Sequence, residues 1–265
     1  MARRRADAAL VDAGLFASRE QAKAAIMAGR VRIAGAVVAK PGSDVTADVL
    51  FEVEPAQEYV SRGGHKLAGA LDHFGVDVAG LSVVDVGAST GGFTDCVLQR
   101  GAARVTAIDV GYGQLAWKLR SDPRVTVLER TNIRAVEGVV EGAPFDIAVI
   151  DVSFIGLAKV LPHVADLLTE HGEIVALVKP QFEAGKGRVG KRGVVRDAGV
   201  HADVLRAVFD AALAGGWIVS GMTWSPLKGP EGNIEFWVRL VREGVPTDEA
   251  ADDIVRAAHE ALGGL

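Results

Sequence analysis

Cysteine is nearly absent. Cys96 is the single one in 265 residues, which excludes a disulfide framework and a disulfide-linked partner and fits a reducing, cytoplasmic setting. On a helix behind a glycine turn it reads as a small core residue rather than a nucleophile. The six histidines, at 65, 73, 163, 171, 201 and 259, lack metal-ligand spacing, so no structural metal is expected. Long apolar runs are missing too. The most apolar region, 145–168, carries Asp146, Asp151, Lys159 and Asp166, so no membrane span and no stable membrane partner are expected. The opening MARRRADAAL is basic but has no apolar core, so it does not read as a signal peptide. A basic balance is also lacking: the net charge is −5, and any nucleic-acid contact must come from local patches. What remains, 49% hydrophobic and 24% charged, is ordinary for a soluble globular chain with room for one large or two modest domains.

The stretch LSVVDVGASTGGFTDCVLQR, 81–100, organises the rest. A β-branched run turns through Gly87, Gly91 and Gly92 into a helix carrying Phe93, Val97 and Leu98. Strand, glycine turn and helix form a nucleotide-type site at the carboxyl edge of a parallel strand. The dinucleotide fingerprint G-x-G-x-x-G is absent, because Ser89 stands where its second glycine should be. No lysine follows the turn, so it is not a phosphate-binding loop. Asp85 precedes the turn, where a carboxylate can meet a cation, and Asp109 ends the next apolar run, where an acid takes ribose hydroxyls. A ligand with ribose and positive charge but no phosphates, such as S-adenosylmethionine, fits. An ordinary α/β turn with a solvated Asp109 fits as well.

In chain order, 5–14 reads as a short helix stopped by Gly14. Ser18 with Gln21 forms a capping box that opens a second helix ending at Gly29. Short strands follow at 31–33, 37–38 and 49–53, and this α+β unit gathers Arg19, Lys23, Arg30 and Arg32. The pattern Arg5, Asp7, Leu10, Gly14-Leu15, Ser18-Arg19, Ala22, Ile26, Gly29, Val31, Gly35, Lys40-Pro41 resembles the S4-type RNA-binding domain. That resemblance implies RNA-backbone contact by Arg5, Arg19, Lys23, Arg30 and Arg32; interleaved acids leave a solvated helix face as the plainer alternative. The expected domains are 1–54 of S4 type, a linker at 55–61, and 62–265.

From Val83 onward strands and helices alternate. Strands are expected at 82–86, 104–110, 125–128, 147–150, 174–178, 217–223 and 234–240. This is an α/β, Rossmann-like seven-stranded sheet, mostly parallel with one antiparallel strand, in the strand order of methyltransferases. Two more strands end in polar groups, Asp151 and Lys179, which a parallel sheet brings to the crevice beside the glycine turn. An Asp–Lys pair there is either a general acid–base set or a structural salt bridge. The segment 185–193 spells G-x-x-x-x-G-K, but Arg192 replaces the magnesium-binding hydroxyl. It reads as a mobile basic loop over the RNA entrance, not an NTP site, with Lys186 and Arg188 neutralising phosphates; a disordered surface loop is the plainer alternative.

Lys66 in GGHKL, Asp151 in VIDVSF, Lys179 in LVKPQFE and Glu235 in GNIEF resemble the Lys-Asp-Lys-Glu tetrad of FtsJ-like ribose 2'-O-methyltransferases. With the S4-type unit, GASTGGFT, DVGYGQLAW and ERTN, nearly the whole chain resembles the TlyA family of rRNA methyltransferases, also filed as hemolysins. The resemblance implies methyl transfer from S-adenosylmethionine to cytidine 2'-hydroxyls of 23S rRNA, with 16S rRNA as a second target and ribosomal subunits as partners. It makes Lys66, Asp151, Lys179 and Glu235 catalytic. Asp85, Gly87, Ser89, Gly91 and Gly92 fall on the methionine side of the cofactor, Asp109 on its ribose and Asn132 near adenine. A non-catalytic RNA- or ribosome-binding protein that keeps the fold is the alternative. A small-molecule methyltransferase leaves the N-terminal unit without purpose, and a hemolysin needs a membrane-seeking segment.

Overall fold

The computed structural model describes residues 3–46, 48–55, 58–136, 140–185 and 187–263. In the first unit, which runs to Glu58, Ser18 caps a helix as its spacing predicts, accepting from the Gln21 N–H at 3.3 Å. The elements are β1 (Arg3–Arg5), α1 (Ala6–Asp12), α2 (Arg19–Met27), β2 (Val31–Ile33), β3 (Ala36–Val37), β4 (Asp44–Thr46) and β5 (Glu52–Val53). Leu10, Ala22, Ala25, Ile26 and Val31 form its core. Strands β1 and β4 pair antiparallel, and no apolar alternation announces either of them.

The second unit begins at Tyr59, inside the stretch expected to be linker. Tyr59 is buried over Gly64, where a Cβ would lie 2.2 Å from the ring. The Val60 N–H donates to Asp95 at 2.8 Å, and Ser61 caps the next helix. These contacts make 59–61 part of the folded unit. Its elements are α3 (Arg62–Phe74), β6 (Ser82–Val86), α4 (Gly92–Gln99), β7 (Arg104–Ile108), α5 (Trp117–Arg120), β8 (Val125–Leu128), β9 (Phe145–Ile150), α6 (Leu161–Ala165), β10 (Leu168–Val178), α7 (Pro180–Glu183), α8 (Ala198–Ala214), β11 (Ile218–Trp224), β12 (Phe236–Val241) and α9 (Ala251–Leu262).

The sheet order is β11-β12-β10-β9-β6-β7-β8, and β12 runs antiparallel to both neighbours. Alternation along the strands supplies two cores. Val83, Val105, Ile147, Val149 and Val175 face α3 and α4, where Leu67, Leu71, Phe93 and Val97 meet them. Val84, Val86, Ile108, Ile150 and Ile174 face the other layer, with Leu161, Leu205 and Val208. Both faces are covered, so β6 is buried throughout and reads as one apolar run around Asp85.

The tail helix α9 joins this core through Ile254, Val255 and Ala258. His201 Nδ1 and His259 Nε2 lie 2.8 Å apart between α8 and α9. Burial, with the neighbouring His259, pushes the His201 imidazole down to about 4, so a neutral pair joins the helices.

Candidate active site

Register explains why four distant residues meet. Val86 pairs with both Ile108 and Ile150, so Gly87, Asp109 and Asp151 emerge side by side at the carboxyl edge. Val178 pairs with Phe236 of the antiparallel β12, so Lys179 leaves one strand where Glu235 enters the other. Lys66 reaches the same edge from the second turn of α3. Two ion pairs result. Lys66 Nζ donates to Glu235 Oε2 at 2.5 Å with both groups buried, and Lys179 Nζ contacts Asp151 and donates to Ser153 Oγ at 3.1 Å.

Lys66, Lys179, Asp151 and Glu235 line one cavity of 240 Å³. A larger cavity of 420 Å³ is walled by Asp109, Asn132, Ile133, Phe154 and Ile155. Gly87, Ser89 and Asp151 line both, so the two lobes meet at the glycine turn. Gly87, at φ +90°, has no room for a side chain: a Cβ would come within 2.3 Å of the Asp151 carbonyl oxygen. Gly92 lines the tetrad lobe, and a Cβ there would lie 2.3 Å from Ser61 Oγ.

Asp109 is held by the Ser89 N–H at 2.7 Å and the Gly111 N–H at 2.6 Å, with lone pairs left for hydroxyl donors. Asn132 lines the larger lobe, while its Oδ1 accepts from the Arg134 N–H at 3.1 Å and caps a short turn. The larger lobe fits S-adenosylmethionine in size and chemistry. It offers side-chain-free backbone at the turn, an acid where ribose would lie and apolar Ile133 and Ile155 for a base.

Two residues expected on the methionine side lie elsewhere. Asp85 is fully buried and lines neither lobe. Its odd position on β6 aims it at α4, where Oδ2 accepts from Thr94 N at 2.9 Å and Thr94 Oγ1 at 2.6 Å. Burial, with Asp151 and Asp109 nearby, pushes its carboxyl up to about 7, against the pull of the Thr94 hydrogen bonds. Gly91 also lines neither lobe. It sits at φ +95° against Leu115 and Leu119 and turns the chain into α4. Ser153 and Phe154, inside the VIDVSF motif, join the site unforeseen, because only the strand's terminal acid carries a positional signal.

The basic residues expected to meet RNA are more constrained than their sequence suggests. Arg5 and Arg19 both pair with the buried Asp7, at 2.9 and 3.2 Å, each keeping about half its side chain exposed. These guanidiniums draw the Asp7 carboxyl down to about 2. Lys23 pairs with Glu20 at 2.7 Å and Arg32 with Glu54 at 3.0 Å. Arg30 is half-buried. In the second unit Arg188 is turned onto Asp203 at 2.5 Å, and Lys186 lies outside the described residues.

A Rossmann-like sheet with one antiparallel strand and a glycine-lined cleft at its carboxyl edge defines a methyltransferase fold. The FtsJ-like methyltransferase family matches residues 59–242, and the S4 domain family matches residues 4–49. The chain is 49% identical over 263 residues to the 16S/23S rRNA (cytidine-2'-O)-methyltransferase TlyA of Mycobacterium tuberculosis, covering 97% of this chain and 98% of that protein. It is 38% identical over 230 residues to Hemolysin A of Brachyspira hyodysenteriae, covering 86% of this chain and 95% of that one. A solved structure from Streptococcus thermophilus, described as a candidate hemolysin, superposes with a TM-score of 0.75 at 42% identity over 99% of this chain and 98% of its own. The chain belongs to the TlyA family of FtsJ-like methyltransferases carrying an S4 domain. Among the described residues no helix is long and apolar enough to cross a membrane.

Proposed function

We propose that the chain uses S-adenosylmethionine to methylate ribose 2'-hydroxyls of cytidine in ribosomal RNA. Its targets are 23S rRNA and 16S rRNA within ribosomal subunits, in the cytoplasm. The observation that carries this reading is the confluence of the two lobes: all four tetrad residues line a cavity that opens at Gly87 and Asp151 into the lobe fitted to the cofactor. The activity printed in the name of the Mycobacterium relative supports the choice of substrate.

When bound, S-adenosylmethionine supplies a methyl group already activated on a sulfonium. The protein's task is then to position and discharge a weak nucleophile. Lys179 Nζ, steadied by Asp151 and Ser153, holds the ribose oxygen at the junction of the lobes. The hydroxyl proton would pass to the Asp151 carboxylate that pairs with Lys179, while the ribose oxygen gains its bond to the methyl carbon and the carbon–sulfur bond of the donor breaks, leaving the neutral thioether S-adenosylhomocysteine. Lys66, neutralised by Glu235, lines the same cavity; removing one partner of such a buried pair costs about 3–5 kcal/mol. Orientation of this kind accounts for roughly 7–11 kcal/mol of a barrier.

The test is methyl transfer from labelled S-adenosylmethionine to isolated large and small subunits, mapped by primer extension at low nucleotide supply. Lys179→Ala is expected to lose about 100-fold or more in kcat. Its cofactor affinity should hold, since Lys179 lines the tetrad lobe and not the cofactor lobe. Undiminished transfer by Lys179→Ala, or methylation of a 2'-deoxy substrate, would overturn the reading.

A further inference from the structure

The helix after Lys179 is one turn long, yet Lys179 and two of its side chains meet the segment that follows β9. Lys179 contacts Asp151 and Ser153, Phe182 packs against Phe154 with ring centroids 5.0 Å apart and planes tilted by 47°, and Glu183 Oε1 accepts from the Leu157 N–H at 2.8 Å. Lys179 is the extended N-cap of this turn, Phe182 and Glu183 are its last two residues, and Pro180 at the first helical position presets it. The segment they hold would not keep its shape unaided. Phe154 is 90% exposed and adopts φ +64°, a left-handed conformation that disfavours a side chain of its size. Gly156 passes so close that a Cβ would lie 2.8 Å from Glu183 Oε2, so the backbone runs directly over the carboxylate. Burial raises the Glu183 carboxyl above its ordinary range, while the Leu157 hydrogen bond pulls the other way.

We propose that Glu183 is a positioning residue of the transfer site: it latches 153–157 to the turn carrying Lys179 and thereby fixes Ser153 and Phe154 beside the ammonium. This rests on the reading of the site as a ribose methyltransferase. Glu183 lines neither lobe, so it acts through the segment it holds. What it supplies is a hydrogen-bond acceptor of the right length, and glutamine supplies one too.

The experiment compares full-length wild type, Glu183→Ala and Glu183→Gln by three measurements. These are hydrogen exchange at the Leu157 amide, subunit methylation kinetics, and calorimetric binding of S-adenosylmethionine. In Glu183→Ala the Leu157 amide should exchange about 10-fold faster or more, and kcat should fall about 10- to 100-fold, with a smaller loss of cofactor affinity. Glu183→Gln should keep Leu157 protected and kcat within about three-fold of wild type. An alanine variant with unchanged exchange and kcat overturns the latch. So does a glutamine variant as slow as alanine, which would make the negative charge the active element. A kcat loss matched by equal losses of cofactor affinity and melting temperature overturns it as well. Exchange at Leu157 is read without substrate, so a wild type that fails to methylate subunits defeats the functional reading and leaves the latch measurable.

Discussion

Asp85 lies beside the glycine turn yet lines neither cavity at the sheet edge. It is fully buried, and Thr94 supplies its hydrogen bonds from the first turn of α4. The bond pair ties the strand that enters the glycine turn to the helix that leaves it. Its cost follows from the carboxyl being pushed up to about 7. In the unfolded chain the same group ionises near pH 4, so the neutral folded form is favoured at low pH. Its contribution is full below about pH 4 and is lost as pH rises through about 7. Asp85→Asn removes that titration and keeps an acceptor for Thr94. In urea melts the variant should therefore gain stability relative to wild type between about pH 5 and pH 8. Parallel changes in both proteins would show that Asp85 does not titrate in that window. The identity of this residue is plain in the sequence but its orientation is not. Strand parity aims it at α4, and parity matters only once it is known which face each helix covers.

At the scale of elements, the glycine turn depends on close approach more than on flexibility. Gly87 at φ +90° lies against the Asp151 carbonyl, whereas Gly113 at φ +71° has open space for 4 Å around the place a Cβ would take. Gly113→Ala should meet only conformational strain, about 1–2 kcal/mol. Gly87→Ala adds a backbone collision to that strain and should cost clearly more, each further 2 kcal/mol lowering the melting temperature by roughly 4–8 °C in a unit of this size. It should also abolish calorimetric binding of S-adenosylmethionine. Equal losses in the two variants would mean that conformation alone decides. This turn is legible in the sequence, as are the acids and lysine that end β7, β9 and β10, because a parallel strand places its last polar residue predictably. Glu235 is legible only by family resemblance, since it stands before a strand and reaches the edge because β12 runs antiparallel. Strand β1 is not legible at all. Three consecutive arginines carry no apolar alternation, and their pairing with β4 is a tertiary outcome. Glu183 escapes notice for a related reason: its partner is a backbone N–H, which no side-chain motif reveals.

For the molecule as a whole, electrostatics argue against a general attraction to RNA. The net charge is −5, and the first unit carries as many acids as bases. A grip on phosphates would therefore come from local cations, and Arg5 and Arg19, both held on the buried Asp7, form one such pair. Asp7 neutralises part of their charge but fixes both guanidiniums, and each keeps about half its side chain in solvent. Such a cation does not have to be ordered at the moment of binding, whereas Lys23 leans on an exposed Glu20 and gains little from it. Replacing Arg19 with alanine leaves Asp7 its bond to Arg5 and removes one presented charge. Binding to ribosomal RNA should weaken about equally for different sequences. The slope of log K against log salt should become shallower by about 0.7–0.9, the amount due to one phosphate no longer neutralised. Filter binding between about 50 and 200 mM salt measures both, at roughly the ionic strengths where screening separates surface from held charges. An unchanged slope with lowered thermal stability would assign Arg19 the single task of covering Asp7, and the phosphate contacts would then belong to cations elsewhere in the chain.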